Sequence, residues 1–252
     1  MLMRGTLASL ILLAGEPAGA GETHPPQGIV ELFGMKPMAH MPLPRHVANL
    51  SDAAPPGCAV EAQAQGHLEQ EKRSAVAVIV KCPAGEDEDA GHTLALFVQN
   101  PSGGYDLAVQ NRTLIPTLPP ELRRDLSVGL GWAPKQPALQ FKRGSLIVAM
   151  DVTGLTGPNA DRMLTFSFNC KDGELWLSGF DEFAVTFRLE TALNSYNFLT
   201  GKALLSVGTG CAGRADALSH CRYTGRWKQI VGRRPLSLDD VGDGVAFEPK
   251  VE

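Results

Sequence analysis

The chain lacks the usual signatures of an active site. Its 252 residues hold no G-x-S-x-G, no H-E-x-x-H and no glycine-rich phosphate loop. Nucleophilic catalysis needs a base beside a Ser or Cys, and the 6 histidines are too scattered to propose one. Triads assembled from distant positions stay open. The 5 cysteines contain no C-x-x-C pair, the common spacing of a structural zinc site. Positive charge is not in excess either. Against 23 Lys+Arg stand 27 Asp+Glu, and a net charge of −4 argues against nucleic acid as the main partner. Nothing asks for a cofactor. Beyond the N-terminus no apolar run is long enough to span a bilayer, and no segment carries a long helical period.

What is present begins with an export signal. Met1-Leu2-Met3-Arg4 is a short basic n-region, GTLASLILLAG is an apolar h-region, and Ala18-Gly19-Ala20 is a small-x-small cleavage site. The apolar run is shorter than the ~20 residues a transmembrane helix needs. Cleavage after Ala20 is expected, placing a mature chain from Gly21 in the periplasm or outside the cell. Arg4 and Glu16 cancel, so the charge balance is unchanged by cleavage. About 230 mature residues suffice for one large all-β domain or two small ones. The 27 glycines and 18 prolines suit short strands joined by turns.

All five cysteines lie in the mature part. An oxidising compartment predicts up to two disulfides with one thiol left over. Cys211 and Cys221 flank a polar loop whose closure costs little entropy. Cys58 and Cys82 bracket the approach to the first strong strand. Cys170 shares an alternating strand face with Leu164, Phe166 and Phe168 and reads as a small buried hydrophobe.

Along the chain, residues 21–57 hold seven prolines and read as an irregular segment that drapes over the domain or stays mobile. Residues 58–235 read as one β-rich domain, and 236–252 as an acidic C-terminal tail. AVAVIVKC (75–82) is a Val/Ile-rich buried strand, and TLALFVQ (93–99) a second. NPSGG (100–104) is a turn into a third strand, Tyr105 to Gln110. Leu118 to Leu126 reads as a short helix. Arg143-Gly144, Lys171-Asp172-Gly173-Glu174 and Thr200-Gly201 are hairpin turns between strands 138–142, 145–152, 162–170, 175–180, 183–190, 195–199 and 202–207. Arg222 to Ile230 is the last strand. The fold class expected is mainly β: antiparallel meander, sandwich-like or blade-like sheets, with one or two short helices.

The segments LALFVQNPSGGYDL, NRTLIP, GSLIVAM, LTFSFNCKDGELWLSGF and SYNFLTGKALL come in an order that resembles a group of exported bacterial proteins with a degenerate integrin-like (FG-GAP-type) β unit. The resemblance covers about 66–235. Its most specific piece is the turn Asn197-Phe198-Leu199-Thr200-Gly201-Lys202. It implies export and a β-rich fold, and it carries over no catalytic residue. The group often has a calcium-type loop before the Val-rich strand. The matching stretch here, Gly66 to Arg73, offers Glu69 and Glu71 but lacks the spaced aspartates and turn glycine of such a loop.

Three clusters carry candidate chemistry. Glu86-Asp87-Glu88-Asp89 is acidic enough for Ca²⁺, but adjacent carboxylates cannot all converge on one ion, and a solvated loop tip fits better. His40 and His46 among Met35, Met38 and Met41 suit copper chemically, in a cluster that chance easily produces. Arg214, Arg222, Arg226, Lys228, Arg233 and Arg234 interleave with Tyr223 and Trp227. Within a strand, Arg222, Arg226 and Lys228 project to one face, leaving Tyr223 and Trp227 to anchor the other in the core. This basic aromatic edge suits an acidic protein, a lipid headgroup or a glycan. The competing reading is a solvated edge whose charges block edge-to-edge pairing. Trp132, Trp176 and Trp227 are also available to stack on sugars.

The reading these features support is an exported, non-catalytic β protein of binding, inhibitor or immunity type, with another envelope protein or a glycan as partner. Its binding residues would be Arg222, Arg226 and Lys228. An envelope hydrolase or glycan-active protein is the alternative, and a purely structural envelope component a third.

Overall fold

The computed structural model describes residues 41–68, 74–83, 91–115, 138–156, 159–171, 173–185, 191–209, 221–232 and 235–252. These residues build antiparallel β structure, as the turn-rich sequence predicts. One sheet has five strands: β1 (His46–Val47), β2 (Ala59–His67), β3 (Ser74–Cys82), β4 (Gly91–Gln99) and β5 (Tyr105–Asn111), in the order β1-β5-β4-β3-β2. The second has eight, seven of them in a meander: β6 (Ala138–Lys142), β7 (Ser145–Thr156), β8 (Asn159–Lys171), β9 (Glu174–Val185), β10 (Thr191–Asn197), β11 (Lys202–Thr209) and β12 (Arg222–Gln229), with the eighth, β13 (Leu236–Ser237), paired to β9 off that path. Among the described residues, helix is confined to a four-residue 3-10 turn, Leu50–Ala53, and one α turn, α1 (Leu238–Val241). The helix expected at 118–126 lies outside the described residues.

Turn chemistry sets the meander. Arg143 (φ 51°) and Gly144 (φ 77°) are both left-handed, the conformation that matches a two-residue hairpin to the twist of β6 and β7. Gly173 (φ 80°) plays the same part between β8 and β9. Sequence patterning splits β9 into two strands, yet it runs unbroken from Glu174 to Val185. A bulge explains both facts. Phe168 pairs with Leu177 and Ser167 with Gly179, so Ser178 is the extra residue. The bulge shifts the alternation by one, and Leu177 and Phe180 both face the core.

The main core lies between the sheets. Ala75, Ala77, Ile79, Leu94, Leu96 and Val98 of the smaller sheet meet Leu146, Val148, Leu164, Phe166, Phe168 and Phe180 of the larger. Gly66 of β2 touches β6 closely: a Cβ there would lie 2.3 Å from the Phe141 ring. The opposite face of β3 and β4 forms a second core, Val76, Val78, Val80, Ala95 and Phe97, covered by Leu43, Val47 and Ala53. So β3 is buried on both sides, which its Val/Ile run requires. The coverage comes from the proline-rich segment read as irregular. Its described part, from residue 41, supplies β1 and the 3-10 turn.

Residues 236–252 correct the expectation of an acidic tail. Leu238, Val241 and Val245 are buried in the main core. Ser237 and Asp240 form a reciprocal capping box on α1. Phe247 packs on Phe166, Phe180 and Phe198 with ring centroids 5.8, 5.3 and 6.2 Å away. The carboxylates hid a set of apolar anchors. Charge describes the solvent side of a segment and leaves its buried side undetermined.

No helix among the described residues is long and apolar enough to cross a membrane.

Candidate functional site

Strand β12 forms the outer edge of the large sheet, pairing with β11 along Arg222–Gln229. Arg222, Arg226 and Lys228 are exposed and share one face, as the alternation predicts. The aromatic half of the expectation is overturned. Trp227 is 70% exposed. The register shows why: Lys228 pairs with Ala203, which is fully buried next to Tyr196, so the charged face is the core side of the sheet. Trp227, opposite Leu204, points to the outer side. What seats β12 is Gly225, whose Cα crowds Leu204 and Ser206; a Cβ would lie 2.8 and 2.7 Å from them. Strand β12 therefore overhangs the core, and its basic row meets solvent where core coverage ends. Arg214, Arg233 and Arg234 lie outside the described residues.

The outer face also carries apolar groups. Met163, Phe183 and Leu193 are direct cross-strand neighbours on β8, β9 and β10, on the same side as Leu204 and Trp227. Met163 and Leu193 are each 41% exposed.

Past Trp227, the edge is already paired. The Gln229 amide donates to the Glu252 carbonyl and the Glu252 amide to the Gln229 carbonyl, both at 3.1 Å, and the Val231 amide donates to the Lys250 carbonyl at 2.9 Å. Ile230 instead donates inward, to the Gly201 carbonyl at 2.9 Å. In an antiparallel ladder this alternation continues, so the backbone groups of Trp227, Gly225 and Tyr223 aim away from β11. Among the described residues no strand pairs with them.

Two polar clusters escaped sequence reasoning. Glu61 is the extra residue of a bulge in β2, between Val60 and Ala62. Its carboxylate accepts from Lys81 Nζ at 3.0 Å and meets His92 Nε2 at 2.8 Å, with His92 buried. Burial pushes the Glu61 carboxyl up, but the hydrogen bonds and charges of Lys81 and His92 together outweigh it and hold it below the ordinary range. In the second cluster, on the core side of the large sheet, Arg162 donates to Glu182 at 2.7 Å and to the Val245 carbonyl at 2.9 Å. Asn194 donates to Glu182 at 3.2 Å. Both clusters tie distant segments together. Their members are far apart in sequence and share no motif.

The cysteines divide as follows. Cys58 and Cys82 are disulfide-bonded, bridging β3 to the residue before β2. Cys221 is disulfide-bonded as well, and Cys211 lies outside the described residues. Cys170 is buried among Leu164, Phe166 and Phe168.

Of the other candidates, Glu86–Asp89, His40, Met35, Met38, Glu69, Glu71 and Trp132 lie outside the described residues. His46 pairs with Asp106 at 2.8 Å, and Met41 is 40% exposed. Among the described residues no group of three His, Cys, Asp or Glu is placed to hold a metal ion. Gly66 and His67 end β2 and Leu68 is fully buried, so this part of the calcium-type stretch is strand and core. The NFLTGK turn is the β10–β11 hairpin: the Asn197 side chain accepts the Thr200 amide at 2.9 Å, and Gly201 takes φ 68°.

No protein-family model and no curated protein matches the chain. Among solved structures, a GH43 β-1,3-galactosidase with galactodeoxynojirimycin is similar over 77% of this chain and 75% of its own, at 9% identity and a TM-score of 0.24. A likeness that weak carries no argument.

Proposed function

We propose that this is an exported, non-catalytic binding protein of inhibitor or immunity type that holds an acidic envelope protein on strand β12. One observation carries the reading: an outermost strand sets Arg222, Arg226 and Lys228 on one exposed face and a 70% exposed Trp227 on the other. Arg and Trp are the residues that most often dominate binding energy at interfaces. An exposed Trp loses hydration on contact and gains apolar area, and Met163 and Leu193 extend that apolar surface across the sheet. A protein partner accounts for both faces, whereas a glycan would use the Trp and leave the row of charges idle. The N-terminal export signal and the Cys58–Cys82 bond support an oxidising compartment.

The test is affinity capture from envelope extract, with the mature chain and its R222E/R226E/K228E variant as baits. Exposed charges contribute little to stability, so both baits should melt alike. The wild type should retain a partner that moderate salt elutes, and the variant should lose it. Equal capture by both baits would refute the reading.

A further inference from the structure

We infer that the partner binds by strand addition: an extended peptide segment pairs antiparallel with the outer edge of β12, with acidic residues at alternate positions and apolar residues between them. The inference rests on the binding role proposed for β12 and specifies its mode.

Three observations lead to it. First, the backbone groups of Tyr223, Gly225 and Trp227 face outward, and no described strand takes them. Such an edge is a ready template for another chain. Second, the same edge already takes an extended segment in antiparallel pairing further along. Lys250–Glu252 pairs with Gln229–Val231, and Val251 bridges Ile230 in antiparallel register. An added segment would continue this ladder from Trp227 towards Arg222.

Third, the side chains flanking the open edge define the chemistry of the occupant. In a paired strand, alternate side chains stand beside those of the neighbour on the same face. Residues of the added strand beside Arg222, Arg226 and Lys228 are therefore best acidic. Those beside Tyr223 and Trp227 are best apolar. The row from Arg222 to Lys228 is about 20 Å long, so a segment of roughly seven residues fills it. A second copy of this chain is a poor occupant: pairing two β12 edges would bring two basic rows together.

The probe is a fluorescein-labelled peptide of alternating Glu and Val, seven residues long, read by anisotropy. Its comparators are the Lys/Val peptide and the Glu/Val peptide with alternate backbone amides N-methylated, which removes the ladder donors and leaves every side chain. On the protein side, Trp227→Pro deletes one outward N–H at a position where edge strands tolerate proline. Trp227→Val reports the loss due to the side chain alone.

The Glu/Val peptide should bind, and the Lys/Val peptide should not. N-methylation should weaken binding by about tenfold or more, and Trp227→Pro by about threefold to tenfold beyond the loss in Trp227→Val. If the wild type does not bind the Glu/Val peptide, or if N-methylation and Trp227→Pro leave its binding unchanged, strand addition is overturned. The R222E/R226E/K228E variant separates the two claims. Loss there without sensitivity to N-methylation leaves the basic edge standing and removes only the ladder. Undiminished binding there refutes the basic edge itself.

Discussion

Glu252 and Gln229 exchange a pair of backbone hydrogen bonds, each 3.1 Å long, on the outer side of the last strand of the large sheet. The contact fixes the phase of the whole β12 ladder. It also belongs to a C-terminal segment that pairs with the sheet edge through Val251 and packs against the main core through both Val251 and Phe247.

That segment should be indispensable to the fold. Phe247 joins Phe166, Phe180 and Phe198 in one aromatic cluster. Replacing Phe247 with Ala is expected to cost about 2–3 kcal/mol, below the usual range for a wholly buried Phe because Phe247 is only partly buried. Urea unfolding monitored by circular dichroism checks this. A loss under about 0.5 kcal/mol would mean the segment merely rests on the sheet.

The Cys58–Cys82 bond closes a sequence separation of 24. Replacing both cysteines with Ala should lower stability by about 2–4 kcal/mol, and reductant should lower the wild type by at least that amount, because it also opens the Cys221 bond. Thermal melts with and without reductant compare the two. The double variant itself should still respond to reductant only as far as the Cys221 bond matters.

Acid should weaken the tie at Glu61. A carboxyl held below its ordinary value in the folded chain contributes stability that is present above its unfolded pKa, about 4.3, and is lost as pH falls through the folded value. Glu61→Gln should therefore destabilise at neutral pH and flatten the decline in stability on the acid side. Melting temperatures across pH 2–7 for both chains give the comparison. Parallel curves would show that Glu61 is no better stabilised in the fold than in water.

Export is tested by intact mass. Protein taken from the envelope fraction should begin at Gly21. A full-length species in the cytoplasm would remove the localisation proposed.

How much of this was legible in the sequence depends on what each segment relies on. Strands β3, β4 and β8 announce themselves because the apolar runs of β3 and β4 and the alternation of β8 are local. The hairpins at Arg143-Gly144 and Thr200-Gly201 follow from turn chemistry. Strand β2, AVEAQAQGH, does not show. Ala, Gln and Gly favour strands weakly, and it forms because β3 offers an edge and the disulfide fixes its start. The bulge at Ser178, which joins two expected strands into β9, is a property of the pairing with β8. The basic row on β12 follows from period-two spacing. The direction it faces does not, since only the neighbouring Ala203 and Tyr196 say which side of the sheet is buried. Glu61, Lys81 and His92 meet only once β2, β3 and β4 are aligned.

The central claim is that binding lies on β12, and amide hydrogen exchange of the mature chain with and without its captured partner tests it most directly. Slowed exchange should concentrate at Arg222–Gln229, strongest at the outward-facing amides of Tyr223, Gly225 and Trp227, while β2 to β5 stay unchanged. Protection elsewhere, with Arg222–Gln229 exchanging as fast as in the unbound chain, would contradict the account.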